Sequence, residues 1–201
     1  MVIGNDGISS IMILNSNSFF VKSFILPFFQ FMFKFCVIPE GFNISHIILI
    51  IKDSNKSSTD PNNLRPISIS KCFAQIFERL LLLKMPEINF TSDFNLEKFG
   101  YKNKISCSHA LFAFKETIIK HLEEKLSIYA ASLDAVKAFD KLWREALYYK
   151  LNQKGINKSA IFILRIYYNV LASMIKINNM KSSVLELKRG VKQGCDVGFT
   201  F

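Results

Sequence analysis

A chain of 201 residues, half of them apolar, has room for one packed domain and is too apolar for native disorder to be its default state. Its formal charge of +10 falls entirely after residue 60, because residues 1–60 balance 4 basic against 4 acidic side chains. A basic excess of that size favours polyanionic partners such as nucleic acid or an anionic membrane face, with abundant surface lysine as the plain alternative.

Cys36, Cys72, Cys107 and Cys195 form no C-x-x-C pair, which excludes a zinc knuckle and a dithiol redox motif. Without a secretory leader they read as reduced, mostly buried thiols of an intracellular protein that is not secreted. His46, His109 and His121 have no metal-ligand spacing and read as structural residues. The apolar start has no basic residue before Lys22 and no small-residue cleavage site. Ser23–Phe35 is interrupted by Pro27, Gln30 and Lys34, and its uncharged run is short of the ~20 residues of a membrane helix. It reads as a core helix with phenylalanine on several faces, in a soluble chain with no membrane partner.

Ile44–Ile51 (ISHIILII) is a β-branched run bounded by turn formers, the pattern of a buried strand. The polar stretch Asp53–Asn63 reads as a loop, and Leu64–Ile69 as a second extended piece able to close a hairpin across it. Ser70 is placed to cap a helix with Phe73, Ile76, Phe77, Leu80 and Leu81 on one face, stopped by Pro86. A second amphipathic helix is expected over 107–125, with Leu111, Phe114, Ile118 and Leu122 in one stripe. Ser127–Leu133 (SIYAASL) reads as a strand ending at Asp134. Lys141–Lys154 reads as a helix closed by Gly155, and Asn157 caps another running to about Leu171. Met174–Asn178 and Val184–Lys188 are two further strands joined by a polar loop. Helices and strands mix without regular alternation, which predicts an α+β fold.

The most informative run is Ser132–Asp140, SLDAVKAFD. A carboxylate at the end of a buried strand is well placed to hold a divalent cation, and a neighbouring carbonyl extends the oxygen shell. Magnesium suits that ligand chemistry and phosphate substrates. Taken alone, such an aspartate is more often a turn or cap residue. Asp140 fits the first turn of the next helix, where the positive helix end favours an acid.

The same run resembles the first catalytic motif of LINE-type (non-LTR) retrotransposon reverse transcriptases. Gly4–Ser9 (GNDGIS) and Val37–Ser45 (VIPEGFNIS) resemble the family's entry to the fingers. Asn63–Ser70 (NLRPISIS) with the FAQIFERLL helix resembles its RPIS element. Phe99–Ser108 (FGYKNKISCS) resembles a Gly-aromatic-basic-Ser segment, and Gly190–Cys195 (GVKQGC) the start of the second palm motif. These stand in the family's order along nearly the whole chain.

The resemblance implies the fingers and palm of a right-hand polymerase, with residues 1–125 mainly fingers and connecting helices and 126–201 the first half of the palm. It implies RNA-directed DNA synthesis by two-metal nucleotidyl transfer, with an RNA template, a DNA primer, dNTP and Mg2+. Asp134 and the Ala135 carbonyl would bind the metal. Phe139 would lie under the incoming sugar, where its ring collides with a 2′-hydroxyl, with ordinary core packing as the alternative. Arg65 would grip the triphosphate, as suits a planar guanidinium meeting phosphate oxygens, and Lys52 is a candidate second ligand, with a solvated lysine as the leading alternative. Gln193 would pack on the nucleotide and template base. Lys102, Lys104, Arg189 and Lys192 are candidate contacts to nucleic-acid phosphates, with a solvated basic face as the alternative.

The sequence departs from the family in two places. No aromatic-x-Asp-Asp hairpin occurs in it, and Cys195-Asp-Val-Gly stands where a Ser-Pro and an apolar helix usually follow the Gln-Gly. The expectation is a truncated palm that does not polymerise alone. The alternatives are a non-catalytic nucleic-acid-binding remnant and an unused pseudogene product.

Overall fold

The computed structural model describes residues 6–85, 99–100, 105–135, 137–178 and 180–194. Ser9 caps the short helix α1 (Ser10–Leu14) through its hydroxyl, which accepts from Met12 N at 3.3 Å. A continuous helical run follows, made of α2 (Ser18–Phe20), a π turn (Val21–Ile25) and α3 (Leu26–Phe35). Ile25, Phe29 and Met32 enter the core, whereas Phe19, Phe20, Phe24, Phe31 and Phe35 remain exposed. The core-helix reading therefore holds for one face. Taken whole, Ser18–Phe35 is long and apolar enough to cross a membrane by length and composition. The uncharged run inside it is still short, because Lys22 and Lys34 both lie within the helical run.

The expected hairpin forms. β1 (Ile44–Ile51) pairs antiparallel with β2 (Leu64–Ser70), from Ser45 opposite Ser70 to Ile51 opposite Leu64. The polar loop between them is stitched by Asn63, whose Nδ2 donates to the carbonyls of Asp53 (2.9 Å) and Ser57 (3.1 Å). β3 (Ala172–Ile177) runs parallel to β1, and β4 (Met180–Lys181) and β5 (Leu185–Glu186) pair antiparallel with β3. The strand order is β2-β1-β3-β4, with β5 also on β3. β4 lies in what the sequence read as a loop. One face of this sheet turns a row of buried serines, Ser45, Ser68, Ser70 and Ser173, toward the interior, and the Ser45 and Ser173 hydroxyls share a 2.7 Å hydrogen bond.

The apolar core is helical. α4 (Cys72–Leu83), α7 (Arg144–Gln153) and α8 (Lys158–Asn169) pack with α3 through Phe77, Leu81, Leu151, Ile163 and Leu164. Phe77 is fully buried and touches three rings, Phe33 and Tyr167 at 5.0 Å each and Phe42 at 5.8 Å. Each such pair is worth about 0.5–1.5 kcal/mol beyond its buried area. The cap of α4 is Lys71 rather than Ser70, and the Pro86 stop lies outside the described residues. The helix expected from Lys141 to Lys154 divides into α6 (Ala138–Lys141) and α7, because the chain turns extended at Leu142 and Trp143.

α5 (Cys107–Glu123) matches its expected span, but none of its residues is buried and Leu111, Phe114 and Leu122 are exposed. His109 and His121 make local bonds to Ser106 and Thr117, as expected of structural histidines. Of the described cysteines, which are free thiols, Cys72 is buried, Cys36 half-buried and Cys107 exposed. Ser127–Leu133 does not form the expected strand. The segment 126–135 has no regular structure, and Tyr129 and Leu133 are 96% and 97% exposed. A strand has no internal hydrogen bonds and forms only against a partner, and none lies beside this segment among the described residues.

Candidate functional site

The segment Leu187–Gly194 joins three parts of the chain. At its centre, Gly190 N donates to Leu142 O at 3.1 Å and Val191 N to Phe139 O at 2.9 Å, which ties the GVKQG motif to the Ala-Phe-Asp turn. Gly190 has φ +74, and a Cβ there would lie 2.5 Å from Phe139 O and 2.8 Å from Asp140 O. Only glycine allows so close an approach in that conformation. At its far end, Ser68 N donates to Gln193 O at 3.0 Å, so the loop covers the outer edge of β2.

Two buried cations hold this segment. Arg144, 9% exposed, donates Nε to Gly190 O (2.8 Å), Nη1 to Tyr168 O (2.9 Å), and Nη2 to Leu187 O (2.5 Å) and Arg189 O (3.3 Å). Its guanidinium also lies 5.3 Å from the Tyr168 ring centroid. Burial pushes its pKa below the ordinary arginine value, while the neighbouring Tyr148 and Tyr168 act the other way. Arg144 stands in the first turn of α7, where a positive charge opposes the helix dipole, so its tertiary bonds account for its place.

Lys192 is 2% exposed. Its ammonium donates to Asn43 Oδ1 and to Ser70 Oγ (3.1 Å) and lies 5.8 Å from the Tyr167 ring centroid. Asn43 in turn donates Nδ2 to Tyr167 O (2.8 Å), and the Tyr167 hydroxyl donates to buried Glu78 (2.6 Å). The expectation that Lys192 meets nucleic-acid phosphates is therefore corrected: its charge is turned inward and used within the fold. Arg189, by contrast, is exposed.

Arg65 sits opposite Ile50 on β2, and the two-residue period of a strand puts Lys52 on the same face. Both are exposed, and the Lys52 ammonium donates to Asn62 O at 2.8 Å. Arg65 is three residues from Ser68, about 10 Å along the strand, so β2 links it to the Gln193 end of the loop. Phe139 is half-buried and packs against the core.

Asp134 and Ala135 are exposed, in the irregular segment before α6, and Asp140 is exposed in α6. Among the described residues no three His, Cys, Asp or Glu side chains gather where a metal ion would sit. Asp134 and the Ala135 carbonyl thus offer part of an oxygen shell, and the described residues do not by themselves fit a complete magnesium site. Lys102 and Lys104 lie outside the described residues. Sequence reasoning missed Arg144, Asn43 and Glu78. Only Arg144 carried a signal, as a base at the wrong end of a helix.

Residues 50–200 match the sequence profile of the family described as "Reverse transcriptase (RNA-dependent DNA polymerase)". The chain is similar to the "RNA-directed DNA polymerase from mobile element jockey" of Drosophila melanogaster, 25% identical over 163 residues, which cover 81% of this chain and 18% of that protein. It is also similar to two proteins of the same organism. The "Probable RNA-directed DNA polymerase from transposon BS" is 24% identical over 161 residues, covering 80% of this chain and 18% of that one. The "Probable RNA-directed DNA polymerase from transposon X-element" is 25% identical over 153 residues, covering 76% and 17%. The chain thus spans less than a fifth of the length of the curated relatives it matches. With most of its length inside the family profile, and with the motifs of LINE-type members in order along it, the chain belongs to the reverse transcriptase family.

Proposed function

We propose that this chain provides the nucleotide-facing part of an RNA-directed DNA polymerase acting on an RNA template, a DNA primer and dNTP. The observation that carries the reading is the pair of backbone bonds from Val191 to Phe139 and from Ser68 to Gln193, which gather residues of three motifs around one loop. Residues 1–125 are read as mainly fingers and 126–201 as the start of the palm. Arg65 and Lys52 meet the triphosphate, Phe139 lies against the sugar and Gln193 against the base. Arg189, with Lys102 and Lys104, contacts the nucleic-acid backbone. Asp134 and the Ala135 carbonyl contribute to holding Mg2+ in the assembled polymerase, the hard oxygen donors that magnesium prefers.

The 201 residues contain no Asp-Asp pair, so on their own they are expected to bind substrate without extending a primer. Two-metal phosphoryl transfer needs several carboxylates around ions ~3.5–4 Å apart. The test is a primer-extension and binding assay with the purified chain on a primed RNA template. The reading predicts affinity for the hybrid that falls with salt, weakened by Arg65→Ala and Arg189→Ala, and no extension product. Salt-independent or absent binding would overturn the substrate assignment. Extension that Asp134→Ala abolishes would overturn the expectation of inactivity.

A further inference from the structure

Burying a cation costs several kcal/mol unless bonds replace its water, so two buried cations serving one eight-residue segment call for a physical reason. Arg144 and Lys192 act from opposite ends of that segment. Arg144 reaches the carbonyls of Leu187, Arg189 and Gly190 and joins them to Tyr168 at the end of α8. Its planar fork suits several carbonyls at fixed angles, which a lysine ammonium does not reproduce. Lys192 fastens the other end to Asn43, just before β1, and to Ser70, at the end of β2. The backbone bonds of Gly190 and Val191 to the facing turn lie at and between these anchors, and that of Gln193 lies just beyond Lys192.

We propose that Arg144 and Lys192 are positioning residues that hold Leu187–Gly194 as a rigid strap between the Phe139–Leu142 turn and the edge of β2, so that a nucleotide meets Phe139 and Gln193 in one geometry. The nucleotide part of this inference rests on the proposed function; the strap itself does not. The strap explains why a lysine beside Gln193 faces inward in a chain otherwise rich in exposed lysine. It also explains why Gly190 sits under two carbonyls of the opposing turn, since a held segment can keep such an approach.

The test is site-resolved amide hydrogen exchange on the 201-residue chain, together with dNTP titration in Mg2+, for the parent, Lys192→Met and Arg144→Lys. Methionine keeps much of the volume of lysine while removing its charge and donors. The strap predicts that Ser68, Gly190 and Val191 amides exchange roughly tenfold faster or more in both variants, the loss of about one net hydrogen bond, and that this rise exceeds the one at α8 amides. The dNTP dissociation constant should rise by a similar factor. Parent-like exchange at the strap, or a uniform rise that includes α8, would overturn the proposal, the latter by making the two residues general stabilisers. If Lys192→Met fails to fold, Ser70→Ala removes one acceptor with little change of volume and is read in the same way. A parent chain that binds no dNTP would refute the nucleotide reading, while the exchange rates still decide the strap.

Discussion

The turn at Phe139 and the segment carrying Asp134 are close neighbours in sequence and are held in opposite ways. Around Phe139 the chain is tied from the facing segment: Val191 bonds its carbonyl, Gly190 packs beneath it, and Arg144 ties that segment to α8. Around Asp134 the chain is exposed from Leu126 to Ala135 apart from half-buried Ile128, and forms no regular element. The first region is built from polar bonds that this chain completes within itself. The second needs a neighbouring strand, and none of the described residues supplies one. On the proposed function, that difference separates the part of the site read as nucleotide-facing from the part read as metal-facing in folding terms. One is local to the loop–turn–strand junction, and the other depends on sheet pairing.

That contrast can be broken from the held side first. Arg144→Leu leaves four carbonyls without their shared donor and should cost about 3 kcal/mol or unfold the chain, as read in a urea melt. A loss below about 1 kcal/mol would mean that the fork is dispensable. Gly190→Ala should cost about 2 kcal/mol or more, from a strained left-handed backbone and a Cβ forced against Phe139 O.

A smaller, pH-dependent effect comes from His46 on β1. Burial, then the charges of Lys181, Lys176 and Lys71, lower its pKa below the ordinary 6.5. The folded state therefore takes up its proton less readily than the unfolded one. Its contribution is complete above pH 6.5 and is lost as pH falls through the lowered folded value. Melting curves from pH 8 to pH 5 should show this decline, and His46→Gln should remove that part of it. The smallest effect is expected on the open side. Asp134→Ala should shift stability by less than about 0.5 kcal/mol, because an exposed side chain in an irregular segment has little to lose. A large loss there would show that Asp134 is held after all.

Elements that complete their own hydrogen bonds were the legible ones. The β1–β2 hairpin, α4, α5 and α8 follow from a β-branched run around a polar loop and from helical spacing of apolar residues. SIYAASL has the composition of a strand, but composition carries no partner, and the segment stays irregular. The break at Leu142–Trp143 was hidden inside a continuous helical pattern, because the force that breaks it is tertiary: Leu142 O accepts from Gly190 N. Lys192 was misread for a related reason. A lysine beside a Gln-Gly gives no sign from sequence that Asn43, 149 positions earlier, accepts a hydrogen bond from its ammonium. Glu78 lies on the same helix as the apolar residues of α4, and the hydrogen bond from Tyr167, 89 positions later, gives its buried carboxylate a partner that helical spacing does not reveal.

The most direct test of the central claim, that this chain assembles the nucleotide-facing half of the site by itself, is a backbone-amide NMR titration of the isotopically labelled chain with dNTP in Mg2+. The account predicts shifts clustered at Arg65, Ser68, Phe139, Val191 and Gln193, still present in Asp134→Ala. No shifts, or shifts centred elsewhere than this loop–turn–strand junction, would contradict it.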